Sequence, residues 1–375
     1  MKKLLFLHFL KDTLFFFLLL SLSLGLIVWV IQAVNYLDFI TEDGHGFYVY
    51  FSYTLYNFPK IIHRILPFVF FISLFYQINR YELKNELIIF WASGVSKLQF
   101  IKVILCFSLF FSIFQIIVGA YVSPASQDKA RNFIRNSNID FFPSLFQEGK
   151  FIDVVKNLTI FIESEKSEGK YNNIFLKEIQ IRNKNIAKVI YAKSGSLINK
   201  EKKRYLELFN GNIINIDGNK VNNFSFEKID FDLTQYQSKS ISYPKIQELD
   251  NHLLIKCLNY YLQGKANELI SEFMSCSKDI IKNIKEELFK RFYKPIYLPL
   301  LSLLACLIFF TSKESKKFSF NRYIIFTFGI LAITISEVSL RYAFSSKMGL
   351  YFFIVFPILA ILALYIFMHN KSKKN

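Results

Sequence analysis

The chain has 375 residues, 53% of them hydrophobic and 44 of them Phe, which exceeds the ~45–50% apolar share of ordinary soluble domains. That composition excludes an ordinary soluble protein and describes a membrane protein. A net charge of +17 invites nucleic acid, yet the Lys and Arg are scattered or flank hydrophobic runs, so an anionic membrane surface is the expected counter-charge.

At the N-terminus Lys2, Lys3 and Lys11 precede an apolar stretch from Thr13 to about Val34. It is too long for a signal-peptide core and no small-x-small cleavage site follows, so it is expected to stay as the first span. Further stretches of spanning length run from about Pro59 to Ile78 and from Ile101 to Val122. After a long polar region come Pro295–Thr311, Tyr323–Leu340 and Leu350–Met368. Six spans result, each near the ~20 residues that cross the hydrocarbon core.

Lys and Arg set the orientation. Lys2, Lys3 and Lys11, then Arg80, Lys84 and Lys97, then Lys313, Lys316, Lys317 and Arg322, then Lys371, Lys373 and Lys374 all fall on one side of a six-span chain. The opposite loops hold the acidic Asp38, Glu42 and Asp43 and, between spans five and six, only Lys347. The positive-inside rule therefore expects both termini in the cytoplasm and the large region after span three outside.

That outside region has short alternating runs at 158–163, 174–181, 188–192, 204–209 and 212–216 and a longer pair in NFSFEKIDFDL. Glu168-Gly169, Gly195, Asn210-Gly211 and Asp217-Gly218 read as the turns between them, which gives an antiparallel all-β module. Phe224 and Phe226 are out of phase with Ile229, Phe231 and Leu233, so a bulge or break is expected near Glu227. The reading divides the chain into 1–122 (spans one to three), 123–246 (β domain), 247–293 (helical connector) and 294–375 (spans four to six and a basic tail). Cys106, Cys257, Cys276 and Cys306 have no metal-ligand spacing and are expected to be packing thiols, a Cys257–Cys276 disulfide being the less favoured alternative.

No chemistry of the chain's own emerges: there is no GxxxxGK[ST], HExxH, GxSxG or CxxC, and the five His are far apart. No catalytic residue, metal site or bound cofactor is expected. Two features stand out instead. The polar island Asn79–Phe100 reads as one surface helix over 79–98, with Leu83, Leu87, Phe90, Trp91, Gly94 and Leu98 on one face and Glu82, Glu86, Ser93 and Lys97 on the other. It is either a plain interfacial helix or a docking element with an acidic face. Glu337 is the one acidic residue inside a span, and it stands four residues before Arg341. The two form either a helical ion pair or, in the functional reading, leave Arg341 to contact an anionic lipid headgroup. Lys60, His63 and Arg64 before span two and Lys290, Arg291 and Lys294 before span four would extend such a ring, or simply snorkel to phospholipid.

The string NELIIFWASGVS resembles the coupling segment of the LptF/LptG (YjgP/YjgQ) permeases of lipopolysaccharide export, an acidic-Leu pair before a small-Gly-small turn. WVIQAVNYLDFI, SPASQDKAR, LFQEGKF and LTIFIESEKSEGKYNNIFLKEIQ are more similar to LptF than to LptG. The resemblance implies a six-helix inner-membrane permease with an inserted periplasmic β-jellyroll-like domain. It implies a subunit of an ABC exporter that moves lipopolysaccharide from the outer leaflet of the inner membrane to a β-jellyroll bridge. The implied partners are an LptG-like permease, two LptB-like ATPases that bind ATP and Mg, and a single-span LptC-like protein, with no nucleic acid. On this sequence the coupling residues would be Glu86, Glu82 and Gly94. The headgroup contacts would be Arg341, Arg64, Arg291, Lys294 and Lys60. Where relatives often carry Lys or Arg at the end of span one, this chain has Gln32 and Asn35. The alternatives are the LptG-type subunit and a membrane-anchored sensor or scaffold with a ligand-binding β domain.

Overall fold

A computed structural model describes residues 2–37, 40, 46–136, 148–155, 158–167, 169–179, 186–200, 203–217, 220–233, 244–263, 269–271, 274–311, 313–314, 317–344 and 347–374. Asp38, Glu42, Asp43, Lys316 and the Gly218 turn lie outside them. Six helices are long and apolar enough to cross a membrane, as the hydropathy pattern predicts. In chain order the helices are α1 (Lys2–Asn35), α2 (Phe47–Tyr56), α3 (Phe58–Leu83), α4 (Glu86–Ala92), α5 (Lys97–Ile117), α6 (Ser123–Asn136), α7 (Asn251–Leu262), α8 (Lys278–Phe292), α9 (Tyr297–Cys306), α10 (Phe318–Ala343) and α11 (Lys347–Lys374).

The spans run longer than their apolar cores. Span three continues from α5 through a π-helical turn, Val118–Val122, into α6, so the SPASQDKAR stretch extends a helix and does not open the β domain. Its polar side chains are placed by helical bonds of their own: the Gln127 amide donates to the Ser123 carbonyl at 3.1 Å and to Ser123 Oγ at 3.0 Å. Span four likewise begins before Pro295, running from Ile280 through α8, a 3-10 turn at Lys294–Ile296 and α9.

The chain divides into two compact units. The first holds the spans and the connector, and its core is a Phe-rich cluster around Phe9, Phe70, Phe71, Phe100, Phe111 and Leu301. Small residues let helices close on it. A Cβ placed on Gly329 of span five would meet the Phe71 ring of span two at 1.9 Å, so glycine there is a condition of the packing. The connector has a core of its own, Leu249, Leu254, Ile281 and Ile284, and within it Cys257 and Cys276 form a disulfide. The packing-thiol reading is corrected for that pair. Residues 19 apart in sequence meet because α7 and α8 fold back on each other, with Cα atoms 5.6 Å apart. Cys106 and Cys306 are free.

The second unit contains a six-stranded antiparallel sheet of sequential order: β1 (Phe151–Val155), β2 (Leu158–Ser167), β3 (Lys170–Ile179), β4 (Ile186–Lys200), β5 (Lys203–Asp217) and β6 (Lys220–Asp232). Two expected turns are not turns. Asn210-Gly211 lies inside β5 and joins the runs 204–209 and 212–216, and Gly195 lies inside β4. A Cβ on Gly211 would meet the Tyr191 carbonyl at 2.0 Å, and one on Gly195 the Ile174 side chain at 2.5 Å, so both glycines serve close strand approach.

The phase change noticed at Glu227 crosses five of the six strands, β2 to β6. Pairing passes from Phe209↔Lys228 to Gly211↔Phe226, from Ser194↔Phe209 to Ala192↔Gly211, from Asn172↔Ser194 to Ile174↔Ala192 and from Ser164↔Asn172 to Ile162↔Ile174. Glu163, Asn173, Lys193, Asn210 and Glu227 thus form one row of lapsed pairing with no change of register. Asn173 and Asn210 have φ of 46° and 51°. The left-handed conformation inverts the inward parity, from Tyr171 to Ile174 in β3 and from Leu208 to Ile213 in β5, which is why the Phe224–Phe226 phase fails to match Ile229–Phe231.

The Gly329 contact gives a direct test. Gly329→Val is expected to cost about 1–3 kcal/mol by overpacking against Phe71 and to lower the melting temperature of the detergent-solubilised protein by several degrees. A Phe71→Ala change in the same chain should recover part of the loss; thermal-shift measurements on the three proteins decide it.

Candidate functional site: a short surface helix and a basic cluster

The first candidate sits where spans two and three join. The single helix expected over 79–98 is broken twice. Span two ends at Leu83 and Asn85 takes φ 62°. The seven-residue α4 follows and closes in a Schellman motif, with Gly94 at φ 74°, its N–H donating to the Trp91 carbonyl and the Val95 N–H to the Phe90 carbonyl, both at 3.0 Å. Ser96 then opens span three with a capping box: its Oγ accepts from the Gln99 N–H and its own N–H donates to Gln99 Oε1, each at 3.2 Å. Asn85, Gly94 and the Ser96-x-x-Gln99 box override helical periodicity here.

The break changes which side chains face out. Leu87, Phe90 and Val95 are buried. Phe90 packs on Phe100 at 5.0 Å and Phe6 at 5.7 Å between ring centroids, and Phe100 packs on Phe309 at 5.0 Å, so spans one, three and four all seat the short helix. Ile88 and Ile89 are more than half exposed, as is much of Leu83. The outward surface is therefore apolar with carboxylates beside it, instead of the face of Glu82, Glu86, Ser93 and Lys97 expected. Sequence reasoning missed Ile88 and Ile89; the signal was the run LIIF, four apolar residues in succession, which no helix can bury on one side. Glu86 opens α4 beside its helix N-terminus, and Glu82 lies one turn before the break in the field of Lys97 and Lys313. Lys2 Nζ donates to the Gly94 carbonyl at 2.8 Å, and Lys371 lies 5.6 Å from the Phe310 ring, so both chain ends lie at this end of the bundle.

The second candidate is the group of cations expected at the opposite ends of the spans. Lys60 of α3 lies in the field of Arg64, Lys290 and Lys245 and of Glu248, and Arg64 also acts on Lys294. Two expected headgroup ligands are turned inward, and the reading is corrected for them. Arg291 is 1% exposed. Its Nε donates to Glu287 Oε1 at 3.0 Å, Nη1 to the Leu249 carbonyl at 3.0 Å and Asn251 Oδ1 at 2.8 Å, and Nη2 to the Gln247 carbonyl at 3.0 Å, leaving no face for a ligand. Lys294, 7% exposed, is bonded to Glu337. The i,i+4 pairing of Glu337 with Arg341 is thereby replaced by an ion pair between spans four and five. Among the described residues Arg341 and Arg64 are exposed and make no hydrogen bond or ion pair. The structure thus brings Lys60 and Arg64 together, retires Arg291 and Lys294 into the protein, and leaves Arg341 on the surface of span five.

With this geometry in hand the comparisons are decisive. Residues 7–371 match the family described as lipopolysaccharide export system permease LptF/LptG. The chain belongs to the LptF/LptG family. It is similar to the uncharacterized protein RP871 of Rickettsia prowazekii (strain Madrid E), 25% identical over 374 residues that cover 97% of this chain and 98% of the relative. Six apolar helices and membership of this family make the permease a multi-pass inner-membrane protein, a component of the lipopolysaccharide export system and not itself an enzyme. Family membership also implies partner proteins of that system.

Removing the Arg291 guanidinium should be costly because Glu287 and three other acceptors would stay buried without it. Arg291→Leu is expected to destabilise the permease by about 3–5 kcal/mol. Arg291→Lys should rescue it only in part, since a point ammonium cannot span four acceptors; thermal denaturation in detergent or nanodiscs reads both.

Proposed function

We propose that the permease is the LptF-type half of an ABC exporter, paired with an LptG-like permease, driven by two LptB-like ATPases that carry ATP and Mg, and joined by an LptC-like single-span protein. The observation that carries this reading is the short helix α4, held by two backbone breaks on an aromatic seat shared by three spans, with Ile88 and Ile89 outward and Glu86 beside them. A small rigid knob of apolar surface with an adjacent carboxylate is what a soluble ATPase can grip and push: the isoleucines supply buried area, and Glu86 supplies a charge-assisted bond to a cation.

In this reading the termini and α4 are cytoplasmic and the sheet domain is periplasmic. Two features support it. The basic ends follow the positive-inside rule, and the Cys257–Cys276 disulfide belongs to an oxidising compartment. ATP-driven closure of the ATPase pair would press on α4 and shift spans one, three and four through the Phe6, Phe90, Phe100 and Phe309 rings, narrowing the cavity between the two permeases. Lipopolysaccharide enters that cavity from the outer leaflet of the inner membrane and leaves towards a β-jellyroll bridge. Lys60, Arg64 and Arg341 are the headgroup contacts, Arg291 and Lys294 holding the helices that present them.

Affinity purification of the tagged permease in mild detergent, with mass spectrometry of proteins and lipids, tests the whole reading. An ATPase, a second six-span permease and lipid A species are expected together; a stable lone chain with ordinary phospholipid sinks it and favours a sensor or scaffold. Glu86→Ala should leave the protein folded and weaken ATPase association by roughly thirtyfold, the loss of about 2 kcal/mol at an interface anchor. The Arg64→Ala and Arg341→Ala changes should each lower lipopolysaccharide co-purification about fivefold without loss of assembly, at ~1 kcal/mol per headgroup cation.

A further inference from the structure

The short helix α4 is tied at both ends by lysines from other parts of the chain. Before it, Lys313 of the loop between spans four and five donates from Nζ to the Leu83 carbonyl at 2.8 Å and to Asn85 Oδ1 at 3.1 Å. After it, Lys2 of span one donates from Nζ to the Gly94 carbonyl at 2.8 Å. A third tie lies one turn back on span two, where Arg322 of span five donates from Nη1 to Asn79 Oδ1 at 3.1 Å.

Each acceptor is one that the local backbone leaves open. Leu83 and Gly94 stand where a helix or a Schellman turn ends, and their carbonyls have no helical donor further along. A lysine ammonium there satisfies the carbonyl and answers the negative end of the helix dipole. The bonds made by Lys313 also bracket the left-handed Asn85, the residue whose φ sets the direction in which α4 leaves span two. Lys313 itself is exposed, so its bonds add little to stability. What they fix is register. Ring contacts such as Trp91 with Phe309 hold the helix to span four without direction and let it slide, whereas hydrogen bonds to a turn carbonyl and a side-chain amide do not.

We propose that Lys313 is a positioning residue that ties α4 to the chain at the start of span five, with Lys2 doing the same for span one. A push on α4 is then delivered towards span five by directed bonds as well as through the apolar core that Phe90 and Phe309 share with Phe318. The transport consequence rests on the reading of α4 as the coupling element, and the mechanical link does not.

Two measurements separate them. In the full chain carrying Cys106→Ser, spin labels on Ile88→Cys and Phe320→Cys are expected to give one narrow distance distribution. Lys313→Met should broaden it and Lys313→Arg restore it, with the melting temperature unchanged throughout. A distribution unmoved by Lys313→Met overturns the proposal. In the permease reconstituted with its ATPase, Lys313→Met should leave ATPase co-purification intact and raise ATP hydrolysed per lipid released by roughly fivefold or more, Lys313→Arg again restoring it. A broadened distribution with an unchanged ratio overturns the transmission role. An unaltered chain that recruits no ATPase sinks the exporter reading instead, while the spin-label result still decides the link.

Discussion

The bundle depends on a guanidinium with no exposed face. Arg291 gathers Glu287 of its own helix and the 247–251 segment into one set of bonds, and Asn251 passes the connection on, donating from Nδ2 to the Ala120 carbonyl at 2.7 Å. Ala120 is part of the π-turn of span three. A π-turn carries a carbonyl that the regular helix ladder does not use, and this one is used by Asn251. The same turn places Gly119 against the His63 ring of span two, where a Cβ would come within 2.3 Å of Cε1. One cation thereby organises spans two, three and four and the returning chain. Replacing a whole buried ion pair by well-packed apolar groups is often neutral in other proteins, whereas removing one partner strands the other, so what Arg291 and Glu287 supply together is better described as a unique arrangement than as net stability.

The other end of the bundle is built on a different principle. There the interior is rings: Phe9, Tyr81, Phe90, Phe100 and Phe309 meet edge to face, Phe6 packs tilted on Phe90, and among the described residues the buried polar atoms are few and local. Asp12 of span one is the exception, accepting from Gln77 at 3.2 Å and Tyr81 Oη at 3.1 Å. Hydrogen-bonded networks resist sliding and ring clusters tolerate it. The short helix α4 therefore rests on an adaptable seat, while the far end of the bundle is a fixed frame.

Much of this was legible in the amino-acid sequence where one physical rule acts alone. Hydrocarbon thickness sets span length, so six spans could be counted; alternation between turn signals revealed the strands; and the Phe224–Phe226 phase error marked a lapse that turned out to cross β2 to β6. Legibility failed where two local rules compete. Asn210-Gly211 is a strong hairpin signal, yet a left-handed residue serves a lapsed pairing row as well as it serves a turn. Asn85 and Gly94 end helices, but the amphipathic count over 79–98 outweighed them. Charge partners were the least legible of all. Glu337 sits correctly for Arg341 on one helix, and only the packing of spans four and five reveals that Lys294 is nearer.

That last point bears on how basic residues in a membrane protein are counted. Lys60, His63, Arg64, Lys290, Arg291 and Lys294 look in sequence like one cationic ring. In the fold Arg291 is neutralised by Glu287 and Lys294 by Glu337, and Lys290 also lies 3.5 Å from Glu287. Among the described residues Arg64 of span two and Arg341 of span five are exposed and make no hydrogen bond or ion pair, and Lys60 is half-buried near Arg64. A count of basic residues therefore overstates the charge that this end of the bundle presents, because carboxylates on neighbouring turns and spans have already claimed part of it.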